Sequence, residues 1–306
     1  MTRIFIQEVA TRDGFQMEER FIPTDEKIAL IDRLSDSGVD KIEVTSFVSP
    51  KAIPNLRDAE EVMSGIKRKD GVTYTTLIPN VRGAERAAAC RADEVNLVAS
   101  VSETHNRKNV RRTVDESFAS FKEIADYLSG TGITINGTLA TTFGCPFEGS
   151  IDEKRVLELA ESYLDLGASG ITLADTTGMA TPNQVHDLCE KVLERWPDLP
   201  ITLHFHNTRG MGLANVIEGI RAGVSRYDAS LGGLGGCPFA PGATGNICTE
   251  DLVHMLTFMS YEMNADLDKL IALSKQLETL VGHEVPGQVI KAGKITDLHT
   301  SPAHSK

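Results

Sequence analysis

The chain reads as an α/β protein, a single (β/α)8 TIM barrel with additional C-terminal helices, and three observations predict it. Short apolar runs rich in β-branched residues recur along the sequence, amphipathic helical patterns separate them, and few long polar linkers intervene. About eight such strand–helix units fit a closed parallel barrel. An open doubly wound sheet is the structural alternative, but no GxGxxG follows the first strand. Barrels of this class run to a length of 306 residues as one unit, so residues 1–306 are expected to form one catalytic domain.

Taken in order, the strand candidates are residues 4–9 (IFIQEV), 41–45, 73–78, 94–99, 134–140, 170–174, 201–205 (ITLHF) and 226–230. Each is a short run carrying Ile, Val, Thr or Tyr. Between them, residues 25–37, 115–128, 153–166 and 182–195 show the apolar spacing of helices packed on one face. A helical extension over about 264–295, with its main helix at 266–281, should pack outside the barrel, and the last dozen residues read as a weakly ordered end. Barrel chemistry sits at the C-terminal ends of the strands. Arg12 and Asp13 follow the first strand, Glu43 lies on the second, Asp175 ends the sixth, and His204 and His206 end the seventh.

Hydrophobic residues at 41% and charged residues at 24% are ordinary for a globular protein. A net charge of −12 argues against a general nucleic-acid binder, since a polyanion needs a basic surface. Cys90, Cys145, Cys189, Cys237 and Cys248 are odd in number and lack CxxC spacing. This predicts a reduced, cytoplasmic protein rather than a disulfide scaffold. Neither a signal segment nor a membrane-spanning run is expected.

His204 and His206 are two apart on a strand and face the same side, a spacing suited to one cation; a hydrogen-bonded structural pair is the competing reading. With Asp13 and Asn246 they make a mixed N/O donor set without thiolate, which favours Mg²⁺ or Mn²⁺ over structural zinc. Arg12 precedes Asp13 in a turn that Gly14 is expected to allow. Its fixed charge suits an enolate or carboxylate oxygen, and Glu43 could orient it, although a plain buried ion pair would look the same. Residues 231–246, LGGLGGCPFAPGATGN, read as a mobile catalytic lid in which Cys237 is an accessible proton donor or acceptor. Cys90 and Cys189 read as small buried hydrophobes, and Cys145 either as structural, the favoured reading, or as the next candidate reactive thiol. The run 102–112, SETHNRKNVRR, reads by default as a solvated loop. Its cations, among them Arg107 and Lys108, are the best local site for the phosphates of an acyl carrier such as coenzyme A.

Together, TRDGFQ at 11–16, IEVTSFVSPK at 42–51, GCPFEG at 144–149, HFHNT at 204–208 and GLGGCPFAPGATGN resemble 3-hydroxy-3-methylglutaryl-CoA lyases of the DRE-TIM metallolyase superfamily. The resemblance covers nearly the whole chain, and the cysteine loop is its most specific mark. It implies a divalent cation (Mg²⁺ or Mn²⁺) and retro-Claisen cleavage of a 3-hydroxy-acyl-CoA to acetyl-CoA and a keto acid, a reaction of leucine catabolism. It also implies a homo-oligomer, a dimer or tetramer. By matching motifs, it places metal ligands on Asp13, His204, His206 and Asn246, the enolate-stabilising arginine on Arg12, a supporting glutamate on Glu43 and the lid thiol on Cys237. His204 or Asp13 would act as base.

Two departures bear on the substrate. Asn207 follows the second histidine where these lyases usually carry Asp, as in related Claisen-condensing synthases. The usual DGLQNE turn reads DGFQME, with Phe15 and Met17 expected either to face the acyl group or to pack beneath the turn. Citramalyl-CoA is the alternative thioester, and a condensing synthase the rival activity. A non-catalytic binding barrel fits poorly with so complete a set of candidate residues.

Overall fold

The structure is a computed structural model that describes residues 3–236 and 245–298. Among them, eight parallel strands close a barrel in sequence order. They are β1 (Phe5–Glu8), β2 (Lys41–Ser46), β3 (Thr73–Leu77), β4 (Glu94–Ser100), β5 (Thr134–Ala140), β6 (Gly170–Asp175), β7 (Ile201–Phe205) and β8 (Arg226–Ala229). Closure is made by β1 on β8, which align Phe5 with Arg226 and Glu8 with Ala229. All eight agree with the strand expectations to within one residue at each end.

Outside them lie α1 (Thr24–Asp36), α2 (Ala59–Gly65), α3 (Val81–Ala89), α4 (Glu103–Val110), α5 (Val114–Leu128), α6 (Glu153–Asp165), α7 (Pro182–Arg195) and α8 (Gly212–Arg221). α9 (Thr249–Phe258), α10 (Leu267–Val281) and α11 (Val289–Ala292) follow the barrel. No described helix is long and apolar enough to cross a membrane.

Two local expectations are corrected. The basic run 102–112 is not a loop but contains α4. Ser102 caps its N-terminus by accepting from the His105 N–H, and Arg107 pairs with Glu103 one turn back at 2.8 Å. Arg111 then ends the helix in the left-handed region, with φ 58°. Asn106 explains why a polar run folds here: its buried amide accepts from Ser100 N–H and donates to Arg112 O and Ser117 Oγ. Gly14, in turn, is ordinary helical backbone, with φ −62° and ψ −61°, at the end of a single π turn over Ala10–Gly14. Space, not backbone freedom, requires glycine, since a Cβ there would lie 2.9 Å from Leu234 Cβ.

Polar struts brace the wall that carries the site. Lys27 on α1 is buried, and its Nζ donates to Asn55 O at 2.6 Å and Asp58 Oδ1 at 2.7 Å, while Asp58 Oδ2 accepts from Thr24. Burial pushes the Lys27 ammonium below its ordinary pKa, so its charge depends on these partners. Lys27→Ala is therefore expected to cost about 3–5 kcal/mol in urea unfolding, because it strands a buried carboxylate. Lys27→Met/Asp58→Leu should cost less than the single change; a double variant less stable than Lys27→Ala would refute the strut.

Candidate active site

One turn of backbone beyond β1 places Arg12 and Asp13 side by side, and β2 brings Glu43 to meet them. The β2–β3 register slips between Glu43 and Thr45, a bulge that re-aims side chains beside the glutamate. Arg12 Nε donates to Glu43 Oε2 at 2.6 Å, Nη2 reaches the same oxygen at 2.5 Å, and Nη1 donates to Asp13 Oδ1 at 2.5 Å. Burial opposes the guanidinium charge, but Glu43 and Asp13 outweigh it and hold Arg12 protonated. Burial likewise pushes the Glu43 carboxyl up, while Arg12 draws it back toward ionisation.

Two strands round the barrel from β1, β7 carries His204, and His206 follows directly after its last residue, with their Nε2 atoms 3.2 Å apart. Asp13, His204 and His206 are all buried, and their ligating atoms lie within 4.8 Å of one another, a possible metal site. Two imidazole nitrogens facing each other beside a carboxylate could serve as donors to one shared cation. Burial and the neighbouring His204 push His206 down to about 4, keeping it in the neutral form that ligates. Burial opposes protonation of His204 too, yet Asp228 raises it above the ordinary histidine value. His204 Nδ1 donates to Asp228 Oδ2 at 3.1 Å, which fixes the ring and turns Nε2 toward His206. Burial fails to raise Asp13, because Arg12 and the two histidines hold its carboxyl below the usual range.

Asn246 joins this group through the loop after β8. It bridges His206 in an isolated antiparallel pair, and its Nδ2 donates to Asp13 Oδ2 at 2.7 Å. Gly235 has φ +113°, and a Cβ on it would stand 2.5 Å from Asn246 Nδ2 and 2.9 Å from Asp13 Oδ2, so only glycine passes here. The start of the loop is pinned by Glu8, whose carboxyl accepts from Leu231 N–H at 2.9 Å, Ala10 N–H at 2.8 Å and Thr249 Oγ1 at 2.7 Å. Burial raises that carboxyl to about 7. Cys237 lies outside the described residues.

Arg12, Asp13, His204, His206 and Asp228 line a cavity of about 890 Å³. Lys51, Arg111 and Arg112 line the same cavity, whereas Arg107 and Lys108 are not among its walls. Arg107 is engaged by Glu103, and Lys108 lies 4.9 Å from the centre of the Phe147 ring. The two turn residues separate: Met17 lines the cavity, and Phe15 is buried in the hydrophobic core. Asn207 does not line it; its Oδ1 accepts from Gly212 N–H, and its own N–H donates to Gly245 O. Asp175 is also outside the lining and accepts from Met179 N–H at 2.7 Å, with burial raising it to about 6. Cys145 is buried with its Sγ 3.0 Å from Ser102 Oγ, a structural placement, and Cys90 and Cys189 are buried as expected.

Asp228 and Glu8 escaped the sequence reading. Each is a lone acid within a strand, and the only available signal was a charged residue near a strand's C-terminal end.

The family model described as HMGL-like matches residues 3–277. The chain belongs to the HMGL-like family. It is 43% identical over 292 residues to a hydroxymethylglutaryl-CoA lyase of Bacillus subtilis, covering 95% of this chain and 98% of that protein. It is 41% identical over 305 residues to an (R)-citramalyl-CoA lyase of Chloroflexus aurantiacus, covering 96% of each. Among solved structures, an HMG-CoA lyase from Acinetobacter baumannii in complex with coenzyme A and 3-methylmalate superposes with a TM-score of 0.95 at 55% identity, over 99% of this chain and 100% of that one. As an HMGL-like protein with a barrel of this kind, it is a carbon–carbon lyase.

Proposed function

We propose that this HMGL-like lyase cleaves 3-hydroxy-3-methylglutaryl-CoA, or a close analogue, to acetyl-CoA and a keto acid. The observation that carries the reading is a half-buried, paired arginine beside a carboxylate–imidazole trio lining one cavity. Asp13, His204, His206 and Asn246 would hold Mg²⁺ or Mn²⁺. When bound, the cation lowers the pKa of the substrate's 3-hydroxyl and neutralises developing charge.

Of the two candidate bases, Asp13 keeps carboxylate lone pairs at this wall that can take the hydroxyl proton, whereas His204 has Nδ1 on Asp228 and would give Nε2 to the cation. The C2–C3 pair then passes to C2, C3 becomes a carbonyl, and the thioester becomes an enolate. Arg12, fixed by Glu43, stabilises the enolate oxygen. A proton returned to C2 completes acetyl-CoA, and the motif likeness alone assigns that step to Cys237. Lys51, Arg111 and Arg112 are placed for the phosphates of coenzyme A ahead of Arg107 and Lys108.

Citramalyl-CoA carries its carboxylate one carbon nearer to C3, and Met17 supports weighing it: an adaptable apolar side chain, 40% exposed, lines the cavity where the family turn carries an amide. A mass-spectrometric screen of 3-hydroxy-acyl-CoA thioesters with the wild type and Met17→Asn tests both points. Acetyl-CoA is expected from at least one of the two thioesters, with a changed kcat/KM ranking in the variant. No acetyl-CoA from any thioester would refute the reading, and an unchanged ranking would remove Met17 from specificity.

A further inference from the structure

The barrel interior beneath Arg12 is polar where bulky aliphatic layers are the usual filling. Asn96 on β4, Asn136 and Thr138 on β5 and Thr172 on β6 are all either buried or half-buried, and hydrogen bonds join them into one network. Asn96 Oδ1 accepts from Thr138 Oγ1 at 2.6 Å and from Asn136 Nδ2 at 3.1 Å. Asn136 Nδ2 also donates to Thr172 Oγ1 at 3.0 Å. On its other side, Asn96 Nδ2 donates to Glu43 Oε1 at 3.2 Å.

These contacts leave the Asn96 amide one orientation. Flipped, its oxygen would face the Glu43 carboxylate and its NH₂ would face the NH₂ of Asn136, two mismatches among buried and half-buried partners. Glu43 therefore has one oxygen committed to Asn96 and the other to Arg12, and its carboxylate plane cannot rotate without breaking one of them. Arg12 has its remaining contact on Asp13, so the glutamate sets the plane of the guanidinium.

We infer that Asn96 is a positioning residue, locked by Asn136 and Thr138, that holds Glu43 so that Arg12 presents a fixed guanidinium to the cavity. This rests on the role proposed for Arg12. A transition-state donor must be pre-oriented to act, so loosening its support slows turnover more than it weakens substrate binding. The cation ligands are not part of the chain of contacts from Asn136 to Arg12 Nε, and cation affinity should survive.

The test is a double-mutant cycle. Asn96→Asp, which turns a carboxylate on Glu43, is expected to lower kcat about 10- to 100-fold. KM and the Kd for Mn²⁺, read by electron paramagnetic resonance, should change little. In a Glu43→Gln background the same substitution should add at most about a twofold loss, the non-additivity of residues acting as a unit. An equal loss in both backgrounds, or a normal kcat in Asn96→Asp, would overturn the inference. Should Asn96→Asp fail to fold, Thr138→Val and Thr138→Ser replace it: valine removes the locking donor and should slow turnover, and serine should rescue it. Equal rates for the two would overturn the lock. A normal kcat in Arg12→Lys, by contrast, would show that the role of Arg12 is at fault.

Discussion

Arg12→Lys is expected to lower kcat by about two orders of magnitude or more while KM changes little. Lysine keeps the charge and loses the fork. Arg12 uses Nε and Nη2 on one oxygen of Glu43 and Nη1 on Asp13, a planar arrangement that a single ammonium cannot reproduce. The charge it serves develops only as C2–C3 breaks, so ground-state affinity for the thioester should be nearly spared. Steady-state kinetics on the preferred thioester decide it. Near-normal kcat with a large rise in KM would make Arg12 a binding anchor instead.

Removing a cation ligand should be as severe in rate and different in kind. His206→Ala and Asp13→Ala are expected to lose both turnover and Mn²⁺ affinity, because too few of the converging donors remain. Asp228→Asn should be milder, with about a 10- to 100-fold loss of affinity, since it frees the ring of His204 without removing a ligand. Titration calorimetry on the purified variants separates these effects from slow chemistry. Full activity after exhaustive chelation, or in His206→Ala, would remove the cation from the reaction.

The strands were legible because each is a short β-branched run bounded by turns, and a barrel needs nothing more from the sequence to set its mouth. Arg12, Asp13, Glu43, His204 and His206 were found at that mouth for the same reason. Cations on neighbouring positions were harder. Arg107 and Arg111 look equivalent in a charged run, yet Arg107 lies within α4 and is held by Glu103, whereas Arg111, left-handed at the helix end, lines the cavity. Asp228 and Asn96 act by touching residues on other strands, and no spacing along the chain records such a contact. Phe15 and Met17 show the limit at its narrowest. They are two residues apart in one turn, and packing sends one into the core and the other to the cavity.

Asn246 and Asp13 share a hydrogen bond across 233 residues of chain, and β8 must close on β1 to bring them together. During synthesis at about 5–20 residues per second, roughly 10–50 s separate the emergence of the first of these residues from the last. For that interval the nascent polypeptide carries an aspartate and, later, two histidines that have no common centre to share. With the proposed ligand set, cation capture would be a late event in the life of each molecule, coupled to the final strand pairing. A ribosome stalled before residue 226 should hold a chain blind to Mn²⁺, and the appearance of tight binding would time the moment the barrel shuts.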